Sequence, residues 1–410
     1  MALLKGNAIV GQSGGPTAAI NATLSGIIRA SSDAPKIERL YGMRNGIEGL
    51  LNERLIDISY LFGDEKSLYT LESTPSCLLG SCRKKLPELK DDKKIYKKIF
   101  DILKSYNIRY FFYIGGNDSM DTVNKLYEYF KEQSHAIRII GVPKTIDNDL
   151  PQTDHTPGYG SASKYIATTV HEIAADCMVY DVKSVTIIEV MGRDTGWLAL
   201  SAALPKFYTG MGADLVYLPE IPFSDERFVS DVKNELSIHQ NVIVVVSEGI
   251  KYDDGEYVGL DSRYDNIDVF GHKYLGGTAK KLEALIKRQI GCKTRSVELN
   301  IMQRSSSHIC SKTDIDESVE IGAYAVKIAQ DGQTGKMTSI TRKRGEVYEI
   351  AFNSVVVESA ANRVRCVPRE YINAQANGIS KAGIEYVLPL ILGEREIEYK
   401  NGIPVHLIIK

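Results

Sequence analysis

Apolar strands alternate with helices along the first 250 residues, and this alternation constrains the fold more than any other feature. Strands are predicted at residues 7–10, 37–43, 109–114, 136–140, 184–190, 214–218 and 241–246, and helices at 18–30, 92–106, 121–131, 161–179 and 224–238. Such an order builds parallel sheets that are covered on both faces. We therefore predict an α/β fold of mainly parallel, doubly wound sheet, divided between two lobes because a single sheet would be very large.

The remaining segments are less regular. Residues 57–86 are expected to form a long irregular loop, and residues 271–277 a flexible glycine-bearing loop. A helix at 278–290, a strand at 295–302 and a helix at 315–330 continue the alternation. From residue 336 the pattern changes to β-alternation, and residues 369–387 look helical. We expect this C-terminal portion to complete the second lobe.

Composition excludes several classes of protein. Of the 410 residues, 43% are hydrophobic and 25% are charged, and the formal net charge is −2. These values argue against disorder and give no sign of a nucleic-acid or membrane partner, so any bound anion must be held by local charges. The six cysteines include no CxxC pair, and neither a signal peptide nor an apolar run of spanning length is present. We expect reduced thiols and a cytoplasmic protein.

The central motif is Gly-Val-Pro-Lys-Thr-Ile-Asp-Asn-Asp at residues 141–149, directly after a predicted strand. Open α/β sheets bind their ligands at the carboxyl ends of such strands. There Asp147 could take a proton from a hydroxyl nucleophile, Thr145 could bind a phosphoryl oxygen, and Lys144 could neutralise charge. Asp149 could hold Asp147 or water near a metal. The alternative is an Asx-rich turn whose side chains only cap their own backbone.

Polar groups also follow other strands. The glycine loop at residues 11–17 precedes a helix, so it either binds phosphate through main-chain N–H groups or forms a tight turn. Its spacing matches neither the Walker pattern nor GxGxxG. Asp118 begins a helix after a Gly-Gly turn and is either a site residue or a capping residue. Arg193 follows the strand at 184–190. Arg83 lies in the long loop and either contacts phosphate or is solvated.

Five motifs together resemble the phosphofructokinase family, from Gly11 to about Arg304, and they occur in the family's order. They are the loop at 11–15, the turn at 115–119, the central motif at 145–149, Met-Gly-Arg at 191–193 and Gln-Arg at 303–304. The resemblance implies transfer of a phosphoryl group to the 1-hydroxyl of fructose 6-phosphate, with Mg²⁺ as cofactor. Asp147 matches the family's general base.

Two positions indicate the phosphoryl donor. In the ATP-using branch of the family, glycines typically stand where this chain has Asp118 and Lys144, and they leave room for the nucleotide α-phosphate. Here Asp118 would place a negative group against that phosphate, whereas Lys144 could hold the terminal phosphate of pyrophosphate. The chain therefore resembles the pyrophosphate-dependent branch, in which the wrong donor is rejected by space and like charge.

The resemblance assigns the other site residues position by position. Glu248 corresponds to a carboxylate that hydrogen-bonds the sugar, and Arg304 to an arginine for the 6-phosphate. Arg295 corresponds to an arginine that reaches the sugar phosphate from a neighbouring subunit, which implies a homodimer or homotetramer. The donor-side residues are Gly11, Gly15, Arg83 and Lys144; the sugar-side residues are Thr145, Asp147, Met191, Gly192, Arg193, Glu248, Arg295 and Arg304.

Three positions depart from the family pattern. Asn117 stands where many members carry an aspartate near Mg²⁺, so the metal would need Asp118 or Asp149 as well, or bind mainly through pyrophosphate and water. Ser184 stands where a second cross-subunit arginine is often found. Ile301 stands where a histidine or tyrosine often lies. The contact between subunits and substrate is therefore expected to differ from that of the short bacterial enzymes.

The resemblance also sets the expected lobes. Residues 1–150 are assigned to a donor-binding lobe on the pyrophosphate side, with the chain crossing between the lobes. Residues 151–335 are assigned to a sugar-phosphate-binding lobe, and 336–410 to a C-terminal β/α extension packed on the lobes. Two other functions stay open: an ATP-dependent sugar kinase of the same fold, and a catalytically silent regulatory subunit. The presence of Asp147, Lys144 and Arg193 argues against the silent subunit.

Overall fold

The computed structural model describes residues 4–259, 276–345 and 347–409. Residues 271–275 of the predicted glycine-bearing loop lie outside the described residues. The strands are β1 (Gly6–Gln12), β2 (Ile37–Met43), β3 (Leu55–Asp57), β4 (Ile108–Gly115), β5 (Arg138–Pro143), β6 (Ser184–Val190), β7 (Leu215–Tyr217), β8 (Asn241–Ser247), β9 (Lys293–Glu298), β10 (Lys336–Arg342), β11 (Ile350–Val356), β12 (Tyr399–Lys400) and β13 (Ile403–Pro404).

The helices alternate with these strands. They are α1 (Ile20–Ser32), α2 (Gly46–Leu51), α3 (Glu65–Glu72), α4 (Lys93–Ser105), α5 (Asn117–Phe130), α6 (Tyr159–Cys177), α7 (Trp197–Leu200), α8 (Leu204–Thr209), α9 (Asp225–Ile238), α10 (Thr278–Gln289), α11 (Met302–Ser305), α12 (Lys312–Gln330) and α13 (Lys381–Val387). Short 3₁₀ turns lie at Ser201–Ala203, Ser307–Ile309, Val357–Ser359, Arg369–Tyr371 and Leu388–Ile391.

The larger sheet has the strand order β11-β10-β5-β4-β1-β2-β3. Its five inner strands are parallel, while β3 and β11 pair antiparallel at the two edges. Successive side chains of β4 point to opposite faces: Tyr110 and Phe112 pack in the same core as α1 and α12, and Phe111 and Tyr113 in the same core as α4 and α5. Both faces are therefore buried, as expected for a doubly wound sheet.

The smaller sheet has the order β7-β8-β6-β9, and all its strand pairs are parallel. On β8, Val242, Val244 and Val246 pack with α9 and α10, while Ile243 and Val245 pack in the core of α6 and α7. Two mainly parallel sheets with helices on both faces confirm the predicted α/β fold.

After the strands of the smaller sheet, the chain adds two more strands, β10 and β11, to the larger sheet. Helix α12 packs on α1 at two glycines, where a Cβ on Gly26 would lie 1.9 Å from the Val319 carbonyl oxygen and a Cβ on Gly322 would lie 2.2 Å from that of Thr23. Strand β10 then pairs parallel with β5, next to the central motif. Residues 336–356 therefore extend the larger sheet, which corrects the expectation that they complete the second lobe.

The last part of the chain packs elsewhere. Helix α13 contributes Ile384, Tyr386 and Val387 to the core around Trp197, beside the smaller sheet. Of the helix predicted at 369–387, α13 and a short 3₁₀ turn are formed, because the intervening segment makes a turn closed by the Ile372–Ile379 bridge. The segment at 57–86 is also more regular than predicted, since α3 forms behind an Asp64 cap.

A buried histidine joins the segment after the central motif to α12. The His155 Nδ1 lies 2.8 Å from Asp154 Oδ1, and its Nε2 lies 2.6 Å from Glu317 Oε2. Burial lowers the pKa of the imidazole, but the charge and hydrogen bonds of these two carboxylates outweigh burial and raise the pKa to about 9. His155 is therefore a buried cation between two elements. Among the described helices, none has the length and apolar character needed to cross a membrane.

Candidate active site

The carboxyl ends of strands from both sheets surround a cavity of about 450 Å³. Its walls include the segments that follow β1, β4, β5, β6 and β8, which is where open α/β sheets bind ligands. The predicted site residues that line it are Gly15, Arg83, Asn117, Asp118, Lys144, Thr145, Asp147, Met191, Arg193, Glu248 and Arg304. Residues predicted from separate motifs thus meet in one place.

Asp147 lies in the turn after β5 and is held by two threonines. The Thr145 hydroxyl accepts a hydrogen bond from the Asp147 amide at 3.1 Å and donates to Asp147 Oδ2 at 3.4 Å. The Thr195 hydroxyl donates to the Asp147 carbonyl at 3.2 Å. The next residue, Asn148, has a φ of 53°, and its side-chain amide donates to the Tyr386 hydroxyl at 2.8 Å. These contacts connect the turn to the segment that follows β6.

Three carboxyl groups around the cavity have raised pKa values. Burial raises the pKa of Asp147, while the charges of Lys144 and Arg193 oppose that change. Burial, followed by the charge of Asp147, raises the pKa of Asp149 to about 7. The same two causes raise the pKa of Glu248 to about 7. Crowded, buried carboxylates of this kind are typical of catalytic and cation-binding sites.

Lys144 is almost completely buried in the wall of the cavity, with 2% of its surface exposed. Its Nζ donates to the Gly15 carbonyl at 2.5 Å, and a Cβ on Gly14 would lie 3.5 Å from the same nitrogen. Burial lowers the pKa of Lys144 to about 8, against the opposing charges of Cys77 and Asp147. The site therefore contains a lysine that can lose its proton slightly above neutral pH.

Asn117 offers an oxygen to a cation. Its Nδ2 donates to Asp149 Oδ2 at 3.1 Å, whereas its buried Oδ1 has no hydrogen-bond partner in the described part of the chain. A buried acceptor without a donor is costly, and Mg²⁺ prefers oxygen ligands. The unpartnered oxygen beside a carboxylate of raised pKa therefore fits a hard cation. Asp118 lines the cavity from the first turn of α5.

The turn after β6 depends on a glycine. Gly192 has a φ of 132°, and a Cβ there would lie 2.5 Å from the Thr195 carbonyl oxygen. Its amide donates to Glu248 Oε1 at 3.4 Å, which connects β6 to the end of β8. The Nε of the neighbouring Arg193 is buried without a hydrogen-bond partner among the residues described. This arginine therefore retains a donor for a ligand.

Arg304 reaches the glycine loop after β1 from the short helix α11. A Cβ on Gly15 would lie 3.0 Å from Arg304 Nη1. Burial lowers the pKa of Arg304, and the charge of Arg83 lowers it further. The two guanidinium groups and Lys144 place positive charge around the glycine loop, which is the arrangement that binds phosphate groups.

Three predicted site residues, Gly11, Gly192 and Arg295, are not among the residues that line the cavity; Gly192 shapes the turn beside it. Gly11 lies inside β1, where a Cβ would meet Met43 Cε at 2.5 Å and Tyr113 at 3.0 Å, so it packs within the sheet. Arg295 is exposed on β9, with its Nη1 3.4 Å from Asp176 Oδ2. An outward-facing arginine cannot serve the cavity of its own chain, and its role in a neighbouring subunit remains a prediction.

Several residues of the cavity wall receive no individual role from the sequence, although Ser119 belongs to the turn at 115–119. Asp194 lines it directly after Arg193, and that position at a strand end could have identified it. Ser119 also lines it, with its hydroxyl 2.5 Å from that of Ser13 in the glycine loop. Asn362 comes from the C-terminal portion, and its side chain donates to Asp121 Oδ1 at 2.9 Å. No local sequence pattern connects residue 362 with this site.

The arrangement combines a buried carboxylate, buried cations and a glycine loop before a helix. These groups are suited to removing a proton from a hydroxyl and to binding phosphoryl oxygens, so fold and site together are those of an α/β phosphotransferase. The family model described as Phosphofructokinase matches residues 7–329, and the chain belongs to the phosphofructokinase family.

Similar proteins cover nearly the whole chain. A protein of Halomonas elongata named pyrophosphate–fructose 6-phosphate 1-phosphotransferase is 38% identical over 401 residues, which are 97% of this chain and 94% of that protein. A protein of Methylococcus capsulatus with the same name is 36% identical over 408 residues, 98% of this chain and 96% of that protein. The crystal structure of a pyrophosphate-dependent phosphofructokinase from Nitrosospira multiformis superposes with a TM-score of 0.88. The two sequences are 35% identical, and the match covers 98% of this chain and 95% of that chain.

Proposed function

We propose that the protein is a pyrophosphate-dependent phosphofructokinase. It transfers a phosphoryl group from pyrophosphate to the 1-hydroxyl of fructose 6-phosphate and yields fructose 1,6-bisphosphate and phosphate. The observation that carries this proposal is the buried ammonium group of Lys144 against the Gly15 carbonyl, in the same cavity as Asp147. The names of the similar proteins support the same activity. Because donor and product are comparably activated, the reaction is close to reversible.

The donor follows from Asp118 and Lys144 together. Asp118 presents its carboxylate from the first turn of α5, where it would repel the α-phosphate of a nucleotide and occupy its space. Lys144 supplies a positive charge beside the glycine loop, where the terminal phosphate of the smaller donor is expected to bind. Pyrophosphate therefore binds the lysine and has no α-phosphate to meet Asp118, whereas the α-phosphate of ATP would meet that carboxylate.

Asp147 acts as the general base. Its pKa, raised by burial, makes the carboxylate a stronger proton acceptor, and the two threonines fix its direction. The proton of the 1-hydroxyl passes to Asp147 while the hydroxyl oxygen bonds to the near phosphorus. The bond from that phosphorus to the bridging oxygen breaks in line, and phosphate leaves. Lys144 and Arg193 stabilise the charge that develops.

Mg²⁺ is the proposed cofactor. Asn117, through its unpartnered Oδ1, and Asp149, through its carboxylate, would hold it beside the donor. When bound, the ion neutralises negative charge on pyrophosphate. This arrangement also explains why Asn117 suffices where the family pattern has an aspartate, because Asp149 beside it supplies the negative charge.

The sugar phosphate is proposed to lie between the two lobes. Glu248 would accept hydrogen bonds from the sugar, and Arg304 would bind its 6-phosphate. Met191 lines that wall, and Gly192 is proposed to shape the turn that carries Met191 and Arg193. Arg295, exposed on β9, is proposed to reach the sugar phosphate of a second subunit, so the enzyme is a homodimer or homotetramer. We propose that it acts in the cytoplasm.

Product analysis tests the proposed function. The purified protein is incubated with fructose 6-phosphate and Mg²⁺, with either pyrophosphate or ATP, and products are identified by ³¹P NMR. Fructose 1,6-bisphosphate and inorganic phosphate should form from pyrophosphate, and the Asp118→Gly variant should gain weak use of ATP. Product formation from ATP alone would contradict the donor assignment, and no product from either donor would indicate a silent subunit.

A further inference from the structure

Arg365, in the C-terminal portion of the chain, holds the segment that follows Asp147. Its Nη2 donates to the Asn148 carbonyl at 2.9 Å, and its Nη1 donates to the carbonyls of Thr153 and Asp154 at 3.0 and 2.5 Å. Three carbonyl oxygens thus converge on one guanidinium group. The Asp154 carbonyl also accepts from the Tyr386 hydroxyl at 2.7 Å, so Arg365 is the donor that ties the Asn148 and Thr153 carbonyls to this point.

The main chain of Arg365 is fixed to both sides of the cavity. Its amide donates to the Asp149 carbonyl at 2.7 Å, and its carbonyl accepts from Trp197 Nε1 at 2.8 Å. The guanidinium carbon also lies 4.4 Å from the centre of the Trp197 ring, a distance typical of cation–π contact. The residue therefore connects the turn after β5 with helix α7.

Glu220 extends this connection to the turn that carries Arg193. Its Oε1 accepts hydrogen bonds from the amide of Val367 at 2.9 Å and from that of Gly196 at 3.0 Å. Residues 365–367 consequently form a strap between the turn of Asp147 and the turn of Arg193. Those two turns come from different sheets, so their separation is not fixed by strand pairing alone.

We propose that Arg365 is a positioning residue that sets the location of Asp147 relative to Arg193, an inference that rests on the proposed function. Its guanidinium group contacts main-chain carbonyls of residues 148–154 and the Trp197 ring, and Arg365 is absent from the wall of the cavity. A lysine cannot replace it, because an ammonium group lacks the planar set of donors that three carbonyls require. Displacing a general base by about 1 Å costs on the order of a hundredfold in rate.

The test compares Arg365→Met with Arg365→Lys and with a matched control, Arg369→Met. Arg369 also donates to two main-chain carbonyls of the C-terminal portion, those of Ile372 and Asn373 at 3.1 and 3.0 Å, but away from the cavity. We expect Arg365→Met to lower kcat with pyrophosphate at least about tenfold while KM for either substrate changes less than about threefold. Arg365→Lys should recover little of the loss, and Arg369→Met should behave like the parent.

Amide hydrogen exchange supplies a readout that does not need activity. Residues 145–156 should exchange faster in Arg365→Met than in the parent or in Arg369→Met, because that segment has lost its shared donor. Unchanged exchange, a kcat within about threefold of the parent, or full recovery by lysine would overturn the assignment. If the parent itself transfers phosphate from neither donor, the proposed function fails, and the exchange rates alone decide whether Arg365 holds this segment.

Discussion

Replacing Lys144 with methionine removes the buried ammonium group and keeps most of the side-chain volume. Its Nζ lies against the Gly15 carbonyl in the cavity wall, so the charge is already in place before the donor binds. Loss of one such preorganised donor typically lowers kcat by about 10²- to 10³-fold, or about 2.7–4 kcal/mol. We expect a loss of this size for the pyrophosphate reaction.

The pH dependence of the parent enzyme gives a second, independent test of the role of Lys144. The pKa of Lys144 is lowered to about 8, and the protonated form is the active one. Its protonated fraction falls from about 90% at pH 7 to about 10% at pH 9, so kcat/KM should fall roughly tenfold over that range. This decline should be absent in Lys144→Met, and that comparison cancels the ionisation of pyrophosphate itself.

The assay follows fructose 1,6-bisphosphate formed from pyrophosphate between pH 6 and pH 9.5. Lys85→Met is the matched control, because Lys85 lines the same cavity but is exposed. It should keep both the rate and the alkaline decline of the parent. A Lys144→Met enzyme with kcat within about threefold of the parent, or with the same alkaline decline, would exclude Lys144 as the group that stabilises the transferred charge.

Three further predictions follow from the structure. Asp147→Ser should lower kcat by at least about 10²-fold with little change in the affinity for fructose 6-phosphate, measured by steady-state kinetics and calorimetry; activity within about threefold of the parent would remove Asp147 as the base. Mixing Arg295→Ala with Asp147→Ser subunits should restore part of the activity after subunit exchange, and no recovery in proven hybrids would count against a shared site. Because the pKa of His155 is raised in the folded state, its protonated imidazole stabilises the fold by about 3 kcal/mol below pH 6.5. This contribution is lost as the pH rises through about 9. Urea unfolding should therefore show a decline between these pH values that His155→Gln lacks; equal slopes in both proteins would contradict the charged histidine.

The sequence predicted the parts of the site that follow strands directly. Lys144, Asp147 and Arg193 each stand within a few residues of an apolar strand, and the carboxyl ends of parallel strands meet at one edge of a sheet. Their positions directly after strands are therefore enough to predict that these side chains lie close together. The family resemblance assigns Gly11 to the donor loop, but strand β1 continues through it, and the loop residues that line the cavity begin at Ser13.

Contacts made across long stretches of sequence were not predictable in the same way. Nothing in the β-alternation of residues 336–357 specifies which sheet it joins. In the structure β10 pairs with β5 after α12, which packs on α1, and both contacts join residues far apart in sequence. Arg365 lies in a segment without periodicity, so its hydrogen bonds to residues 148–154 could not be inferred from spacing. The strap formed by residues 365–367 therefore depends on tertiary contacts that no local sequence pattern specifies.

The identity of the phosphoryl donor is measured by the ratio of two kcat/KM values, one for pyrophosphate and one for ATP. Initial rates are measured with fructose 6-phosphate and Mg²⁺ at saturation while pyrophosphate or ATP is varied, since this ratio reports discrimination between donors. Repulsion and steric exclusion by Asp118 predict a value for pyrophosphate at least about a hundredfold higher than for ATP. A value for ATP equal to or above that for pyrophosphate would contradict the account.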